Sequence, residues 1–300
     1  MDLAQIRCFL AVVDHGGINA AAASLDLAQP TVSYSITRLE RELGVQLCHR
    51  LGRGVVLTSA GHAFVGPARR IMRDVVMLEN SLVHASTGVT GRLDLVAIGS
   101  FAAQPILDTI AEFRARYPRV AIRVTDLRDE EKGGRLIRDG HCELVVCHLP
   151  AQDIEGLDVI PLGTQEWWLA CPEGTELPPD DPLPLSKLPD IPHTVVPRGG
   201  SQAREIEQAV IRAGRVIRPV AVVQDHEARM PFVLAGVGAS FLERSMAELA
   251  RACGAVVRAV EPAISRQYGI VYDRTALSPP GSAFIEVAHR FARLNPDSPG

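Results

Sequence analysis

The sequence lacks the features of secreted, membrane-spanning and disulfide-built proteins. The 300 residues contain no run of 18 apolar residues, which predicts no transmembrane helix and no membrane partner. Asp2 follows Met1, and Gln5 and Arg7 interrupt the first apolar positions, so no signal peptide is expected. The six cysteines form no CxxC pair and are too sparse for a disulfide scaffold. These absences predict a cytoplasmic protein with reduced thiols.

Motifs that carry enzyme chemistry are also missing. The sequence has no P-loop, GxSxG, HExxH or GxGxxG pattern, which argues against the nucleotide-dependent, serine-nucleophile and zinc-dependent enzymes that those motifs mark. The scattered histidines lack the spacing of metal ligands. We therefore expect no catalytic residue, metal or cofactor, and an enzyme is the main alternative from another class.

Positive charge is concentrated near the start of an acidic chain. The net charge of the whole chain is −4. Residues 27–73 nevertheless hold seven arginines against two glutamates, a local charge of +5. A basic patch of this kind attracts phosphate polymers such as DNA. The alternative is an ordinary solvated surface.

The first part of the chain has the pattern of a helix-turn-helix. Apolar residues recur at helical spacing within 3–13, and an alanine-rich segment covers 18–25. Pro30 suits the first turn of a further helix that Gly44 ends. A short helix, a tight turn and a second helix predict a helix-turn-helix, whose second helix enters a major groove. The alternative is a polar helix on a small helical domain.

The predicted recognition helix presents short polar groups instead of the Glu–Lys pairs of an ordinary solvated face. Short hydroxyls reach base edges and phosphates without filling the groove, and arginine adds a phosphate or guanine contact. On a helical wheel the outward residues are Pro30, Ser33, Tyr34, Thr37, Arg38 and Arg41.

A hairpin and a long helix follow. The segment RLGRGVVLTSAG (50–61) predicts a β-hairpin with Arg53 at its tip, placed as a wing that lies along the minor groove or the backbone. The next helix has apolar residues at alternating spacings of four and three, a heptad seam that favours a paired helix. These residues are Phe64, Ala68, Ile71, Val75, Leu78 and Leu82. The alternative is that the seam packs on its own domain. Pro67 should bend the first turns, and 86–91 is a predicted hinge.

Residues 3–62 resemble the winged helix-turn-helix of LysR-type transcriptional regulators. The match includes FLAVVDHGGINAAAASLDLAQPTVSYSITRLERELGVQL, then HR and LTSAG. Ala28 departs from the family pattern, which usually has a Ser or Thr N-cap there, and this loss should cost about 1 kcal/mol. Carried over by position, the resemblance implies that DNA is contacted by Gln29, Pro30, Thr31, Ser33, Tyr34 and Arg38, with Arg53 in the wing.

The remaining two hundred residues alternate strand and helix patterns, which predicts a parallel sheet covered by helices. Two similar α/β lobes joined by crossing strands would enclose a cleft, and the resemblance implies an effector domain like periplasmic binding proteins. The predicted fold is thus α/β, with an N-terminal winged helix-turn-helix, a long linker helix and a two-lobed effector domain. The predicted boundaries are 1–60 for DNA binding, 61–90 for the linker and hinge, and 91–300 for the effector domain, with lobe I at about 91–160 and 266–300 and lobe II at about 161–265.

Candidate effector-binding residues lie just after predicted strands or at the start of a lobe II helix. They are Ser100, Phe101, Asp126, His148, Arg198, Ser201 and His226. The specific hypothesis is a small organic anion, such as a carboxylate, held by Ser100 and Arg198. The alternative is that Arg198 is a surface side chain and that His148 is bonded to backbone.

These observations together predict a ligand-responsive transcription regulator. Its expected partners are double-stranded promoter DNA, a small organic effector, a second copy of itself in a dimer or tetramer, and RNA polymerase. One alternative is a thiol-based redox regulator, although Cys142 and Cys147 would lie on opposite faces of a strand. Another is a solute-binding protein, which would need export.

Overall fold

The computed structural model describes residues 1–51, 54–83, 88–103, 106–127, 130–197 and 200–294. Arg53 and Arg198 lie outside the described residues. The N-terminal part consists of α1 (Leu3–His15), α2 (Ile18–Leu25), α3 (Gln29–Leu43), the hairpin strands β1 (Cys48–Leu51) and β2 (Gly54–Leu57), and the long helix α4 (Ser59–Val83).

Local sequence explains where these helices begin and end. The Asp2 side chain accepts a hydrogen bond from the Gln5 backbone, while the Gln5 side chain accepts one from the Asp2 backbone, so α1 starts with a capping box. At the other end Gly16 takes a φ of 68°, which only glycine adopts without cost. Helix α3 begins after Ala28 with no side-chain cap, as the sequence predicted.

The inner face of α3 is the predicted one. Val32 and Ile36 are buried against α1 and α2, and Leu39 is buried against α1 and α4. This packing leaves the opposite, polar face of α3 toward solvent. The predicted hairpin is present as the antiparallel pair β1–β2, which follows α3 in the chain.

Helix α4 continues without a break through Pro67. The first part of the predicted seam packs on its own domain, because Phe64, Ala68 and Ile71 join the core that α1 and α3 form. Leu78, further along, is 61% exposed. The alternative, that the seam packs on its own domain, is therefore confirmed for its first three residues.

The second part of the chain is an α/β structure. Its first elements are β3 (Gly91–Ala97), α5 (Gly99–Ala103), α6 (Ile106–Arg116), β4 (Val120–Asp126), α7 (Gly133–Arg138), β5 (Leu144–His148) and β6 (Asp158–Cys171). Its later elements are β7 (Leu183–Pro184), β8 (Pro192–Val195), α8 (Ser201–Arg212), β9 (Arg218–Val222), α9 (Arg229–Leu234), β10 (Ser240–Glu243), α10 (Arg244–Ala252), β11 (Val256–Arg258), β12 (Val260–Glu261), β13 (Ile264–Tyr272) and α11 (Pro279–Leu294). Short 3-10 helices occur at Glu130–Lys132, Leu185–Lys187 and Arg274–Ala276.

Seven strands form one mixed sheet, in the order β10-β6-β13-β5-β3-β4 with β11 also on β6. The expected parallel pairing is confirmed for β3, β4 and β5 in lobe I and for β8 with β9 in lobe II. The crossing strands β6 and β13 pair antiparallel with each other. The reason is that β6 leaves lobe I while β13 returns to it, so the two must run in opposite directions.

Two hydrophobic cores define the lobes, and the crossing strands serve both. Ile160 of β6 and Ile270 of β13 belong to the lobe I core, whereas Trp167 of β6 and Ile264 of β13 belong to the lobe II core. The pairing of the two strands shifts register at Gly269, where a side chain would overlap the carbonyl oxygen of Ile160. The lobes are therefore joined by two continuous, closely packed strands.

Two smaller sequence interpretations need correction. The proline content of segment 172–190 predicts a surface loop, but Leu183, Leu185 and Leu188 of this segment are buried in the lobe II core. Cys142 lies before β5 and not within it, so the strand argument about Cys142 and Cys147 does not apply.

Within the described residues, no single helix is long and apolar enough to cross a membrane. Helices α1 and α2 pass that test only as a pair bent by 119°, and each buries one face in the N-terminal core.

Candidate functional site

The outer face of α3 is exposed and polar. Tyr34 is 64% exposed, and Ser33 is half-buried. The other predicted DNA contacts that lie on exposed positions are Gln29, Pro30, Thr31, Thr37 and Arg38. A helix with an apolar inner face and short polar outer groups has the shape and chemistry that a major groove accepts.

Arg38 is held in place on this face by an acidic residue. Its Nε donates to Glu42 Oε1 over 2.9 Å, one turn along the helix. Glu42 also pairs with the N-terminal ammonium of Met1. The ammonium, followed by Arg38 and Gln5, lowers the pKa of the Glu42 carboxyl to about 2. The carboxylate therefore stays charged and keeps the guanidinium of Arg38 on the helix surface.

The second candidate site is a cleft of about 1180 Å³ between the lobes. Lobe I contributes the end of β4, the 3-10 helix Glu130–Lys132 and the end of β5, and lobe II contributes the start of α8 and the loop before α9. The cleft thus lies beyond strand ends, where ligands bind in α/β folds.

Hydrogen bonds cross this cleft at one cluster. Ser201 Oγ lies 2.6 and 2.7 Å from the two carboxylate oxygens of Glu130, so its hydroxyl donates from lobe II to lobe I. His148 Nδ1 lies 3.0 Å from Ser201 Oγ and 3.4 Å from Glu130. His148 Nε2 lies 2.8 Å from Gln165 Oε1, and because an amide oxygen only accepts, Nε2 carries the hydrogen. Four side chains hold the lobes together here.

Carboxylates outnumber arginines in the described lining of the cleft. Burial alone would raise the pKa of Glu130, but the hydrogen bond and charge of His148, then Ser201 and Arg266, bring it below its ordinary value. The acidic lining residues are Asp126, Glu130, Asp225 and Glu227, and the described arginines are Arg204 and Arg266. Glu130 is therefore a fixed negative charge at the point where the lobes meet.

A buried ion pair supports the lobe II side of the cleft. Arg229 Nη2 donates to both carboxylate oxygens of Glu243, over 2.8 and 2.7 Å, and Arg229 Nε donates to the His226 carbonyl oxygen over 3.1 Å. Gln202 of α8 also donates to Glu243, over 3.2 Å. Burial would raise the pKa of Glu243, but the charge of Arg229 outweighs it and lowers that pKa to about 2. The pair ties α8, α9 and the cleft residue His226 together.

The lobe I side of the cleft is connected to the N-terminal domain. Helix α7 follows the 3-10 helix of Glu130 directly, and its end lies against α4: a side chain at Gly66 would overlap the Arg138 carbonyl oxygen. Arg69 of α4 donates to the Asp139 carbonyl oxygen over 3.3 Å and lies 2.5 Å from His141 Nε2.

Arg69 also pairs with Asp14 of α1. The same guanidinium therefore touches the DNA-binding helices and lobe I. Burial, followed by the charge of Arg69, lowers the pKa of His141, so the imidazole accepts from Arg69 as a neutral ring.

Comparison with known proteins identifies the family. Residues 3–62 match the family described as bacterial regulatory helix-turn-helix protein, lysR family, and residues 86–293 match the LysR substrate binding domain. The chain belongs to the LysR family of transcriptional regulators.

Individual relatives resemble the chain along its whole length. It is 27% identical over 301 residues to the HTH-type transcriptional regulator TcbR of Pseudomonas sp. (strain P51), covering 98% of this chain and 100% of that protein. A full-length variant of OxyR from Pseudomonas aeruginosa has a TM-score of 0.72 at 21% identity, covering 100% of both chains. Full-length CbnR complexed with its target DNA has a TM-score of 0.58 at 23% identity, covering 97% of this chain and 100% of that one. The two structures show a shared fold alone.

Four of the seven predicted effector residues line the cleft together: Asp126, His148, Ser201 and His226. Ser100 is buried on α5, beside Gly99, which does line the cleft. Phe101 is fully buried and packs against Tyr268 and His148, with ring centroids 4.9 Å apart in each case. Phe101 therefore packs against the His148 ring and is not among the residues that line the cleft. Effector binding by the lining residues stays a prediction.

Sequence reasoning missed two residues that shape this LysR-family cleft. Glu130 could have been found, because EEK follows the predicted second strand just where parallel strands present ligand-binding groups. Arg266 offered no local signal. It lies in the middle of a crossing strand and reaches the cleft only because β13 returns to lobe I, where it donates to the Leu149 carbonyl oxygen over 3.2 Å.

Two buried cysteines of this regulator, Cys147 and Cys171, have thiols poorly suited to reaction with peroxide. Cys147 lines the cleft, but burial, followed by the charge of Glu130, raises its thiol pKa to about 12. Burial likewise raises the pKa of Cys171 to about 12. A thiol that stays protonated at neutral pH is a poor nucleophile toward peroxide.

The buried pair Arg229–Glu243 should dominate the acid sensitivity of lobe II. Arg229→Met leaves Glu243 charged and buried, so we expect the free energy of unfolding in urea at pH 7 to fall by about 3–5 kcal/mol. Because the folded pKa of Glu243 is depressed to about 2, its contribution is present above the unfolded value of about 4.3 and is lost as the pH falls toward 2.

The control is Arg244→Met, which removes an exposed pair with Glu248 of 3.1 Å and should change stability by less than about 1 kcal/mol. The double variant Arg229→Met/Glu243→Gln should recover part of the loss and flatten the pH dependence between 4 and 2. Equal effects of the two single variants would contradict the assignment.

Proposed function

We propose that this LysR-family protein is a sequence-specific DNA-binding transcription regulator whose activity is controlled by a small molecule bound between its lobes. The observation that supports control by a ligand is the Ser201–Glu130 hydrogen bond, which joins the lobes at the centre of the cleft. The domains proposed are DNA binding at 1–60, linker at 61–90 and effector binding at 91–300. The protein would act in the cytoplasm on promoter DNA and, through it, on RNA polymerase.

The exposed face of α3 is the proposed reader of the operator. Short hydroxyls and the amide of Gln29 would contact base edges, and Arg38 would contact a phosphate or a guanine. The CbnR structure with target DNA is a precedent for a chain of the same fold on DNA. Arg53, in the predicted wing, is the proposed minor-groove contact.

Replacing Arg38 should weaken binding to DNA specifically. For a duplex that the wild-type protein selects from a random pool, we expect Arg38→Ala to raise the dissociation constant about 5–150-fold and to reduce the slope of log affinity against log salt by about 1. Fluorescence anisotropy across a salt series measures both.

Arg274→Ala is a matched control, because Arg274 is also exposed and paired with a carboxylate, Asp158, at 2.8 Å. It should leave affinity within about twofold, as expected for a charge remote from DNA. If the wild type selects no sequence, or if both variants lose affinity equally, the proposed recognition face is wrong.

The chemistry of the cleft refines the expected effector. A simple anion would meet the negative charge of Glu130, whose partner Ser201 donates a hydrogen bond to it. A ligand that replaces Ser201 must therefore present a hydrogen-bond donor or a cation to Glu130. Arg266 offers a positive charge to a carboxylate in the same cleft. We therefore propose a small effector that carries both kinds of group, such as an amino acid or a hydroxylated acid.

Helix α7 is the proposed route from the cleft to DNA. At one end it continues from the 3-10 helix that carries Glu130, and at the other it packs on Gly66 and Arg69 of α4. Arg69 in turn holds Asp14 of α1. A ligand that separates Glu130 from Ser201 would move a short rigid segment whose far end touches the DNA-binding domain. This arrangement provides the two sites and the connecting element that allosteric coupling requires.

The proposed route predicts that Arg69 couples the cleft to DNA affinity. Ser201→Ala removes the contact between the lobes, and we expect it to change the dissociation constant for the selected duplex at least about fivefold. In an Arg69→Met background the same change should be less than about twofold, because the connection is cut. Arg70→Met, on the next residue of α4, should preserve the full effect of Ser201→Ala. An equal effect of Ser201→Ala in all three backgrounds would contradict the route.

Self-association is proposed from exposed apolar residues on the flanks of both lobes. Lobe I exposes Leu107 on α6 and Val124 on β4. Lobe II exposes a longer stretch between α8 and β9, consisting of Ile211, Val216, Val220 and Val222. Clustered apolar exposure marks protein interfaces. A two-fold dimer would place the exposed apolar residues of lobe I in each copy against those of lobe II in its partner.

A charge on this flank should disrupt the oligomer. We expect Val220→Asp to lower the molar mass found by sedimentation equilibrium, because a buried unpaired carboxylate is costly at an interface. Leu249→Asp is the control, since Leu249 is 54% exposed but lies on α10, away from this flank. An unchanged mass for Val220→Asp would refute this interface.

A further inference from the structure

The junction between helix α4 and lobe I contains a histidine in contact with an arginine. His141 follows the turn after α7, and its Nε2 lies 2.5 Å from Arg69 Nη1. A guanidinium has hydrogens to donate and no atom that accepts one. Nε2 must therefore present a lone pair, so His141 takes part in this contact only as a neutral ring that carries its hydrogen on Nδ1.

The two elements approach each other closely around this contact. Gly140 takes a φ of 66°, and the Cβ of a side chain there would lie 2.9 Å from the Gly66 carbonyl oxygen and 3.1 Å from Arg69 Cβ. Arg138, in the same turn, pairs with Asp153 over 2.7 Å. Because the backbones touch, a repulsion between the two side chains acts on the packing of α4 against the turn.

The charges that surround His141 come from three elements. Arg69 of α4 is in direct contact, Asp14 of α1 pairs with Arg69, and Asp139 of the turn accepts a hydrogen bond from Arg135 Nε over 3.3 Å. Burial, followed by the charge of Arg69, lowers the pKa of His141, against the smaller opposing effects of Asp139 and Asp14. The arginine therefore dominates the electrostatic field at the ring.

A proton from solvent can reach this contact without unfolding of the chain. His141 is exposed, whereas only 12% of the Arg69 side chain is exposed. A proton on Nε2 would set one N–H against another and one positive charge against another, at hydrogen-bond distance. Like charges this close repel each other, and a mostly buried guanidinium is screened less than a surface ion. The contact is therefore incompatible with a charged His141.

We propose that His141 is a proton-binding site through which acidification releases lobe I from helix α4. Once the ring is charged, Arg69 and His141 separate, and the end of α7 loses this attachment to the DNA-binding domain. Because the pKa of His141 is lowered in the folded protein, the contact contributes to stability above the unfolded value of about 6.5. That contribution is lost as the pH falls through the lower, folded value.

Acid would act on the same connection as a ligand in the cleft, but from the opposite end. Helix α7 runs from the segment of Glu130 to the turn that contacts Arg69. Under the proposed function, on which this consequence rests, a charged His141 uncouples the Ser201–Glu130 contact from DNA affinity. Binding of the proton itself does not depend on that function.

Titration of the histidine signals by NMR, on the full chain without DNA, tests the proton site. The signal that is absent from His141→Gln identifies His141. We expect this signal to titrate at a lower pH in the wild type than in Arg69→Met, because the guanidinium opposes the proton. Arg70→Met, on the next residue of α4, should leave the titration as it is in the wild type. Equal titration in the wild type and Arg69→Met would overturn the proposal.

The pH dependence of DNA binding tests the consequence. In the wild-type background, Ser201→Ala should change the dissociation constant for the selected duplex at least about fivefold at about pH 7.5, and less than about twofold at about pH 5. His141→Gln keeps an acceptor for Arg69 and cannot become charged. In this background the effect of Ser201→Ala should therefore stay at least about fivefold at both pH values.

The His141→Gln background also controls for every other group that titrates between these pH values, because those groups are present in both proteins. Loss of the Ser201→Ala effect at pH 5 in both backgrounds would overturn the role of His141. If Ser201→Ala has no effect even at pH 7.5, the proposed route from cleft to DNA is wrong, and the NMR titration still decides the proton site. The failure of this inference and the failure of the proposed function are thus distinguishable.

Discussion

The antiparallel pairing of β6 and β13 is the constraint on which the effector domain depends. Each strand supplies side chains to both lobe cores, so neither lobe can be completed without the segment that leads to the other. The close approach at Gly269 keeps the two strands in contact where they pass between the cores. Because the lobes are joined by two paired strands, and not by a flexible linker, they can change their separation only by bending or twisting at this crossing. A ligand between them therefore acts on a defined motion.

The Glu130–Ser201 contact determines how that motion is controlled. A carboxylate that accepts a hydroxyl hydrogen bond and faces an imidazole holds the lobes together through polar groups, which a ligand with matching groups can replace. Purely apolar contact would offer no such exchange. Since α7 begins where the Glu130 segment ends and finishes against Arg69, the same few residues belong both to the cleft and to the connection with the DNA-binding domain.

Much of the N-terminal domain follows from local sequence. The capping box of α1, the glycines at Gly16 and Gly44 and the spacing of Val32, Ile36 and Leu39 all act within a few residues, and the helices they predict are present. The linker helix shows the limit of such reasoning. A heptad seam predicts an apolar stripe but not what covers it, and here Phe64 and Ile71 are covered by α1 and α3 of the same chain.

By itself the sequence determined the elements, the polar face of α3 and the family, because periodicity, caps and family motifs are properties of neighbouring residues. Only the tertiary structure decided that β6 and β13 cross as an antiparallel pair, that Arg266 enters the cleft and that Phe101 lies beneath His148 and not in the cleft. The contacts of Arg69 with Asp14 and with His141 were likewise decided by folding. The contacts of Arg69 and Arg266 join residues 55 to 117 positions apart, where pairing is chosen by the packing of whole cores and no local pattern records it.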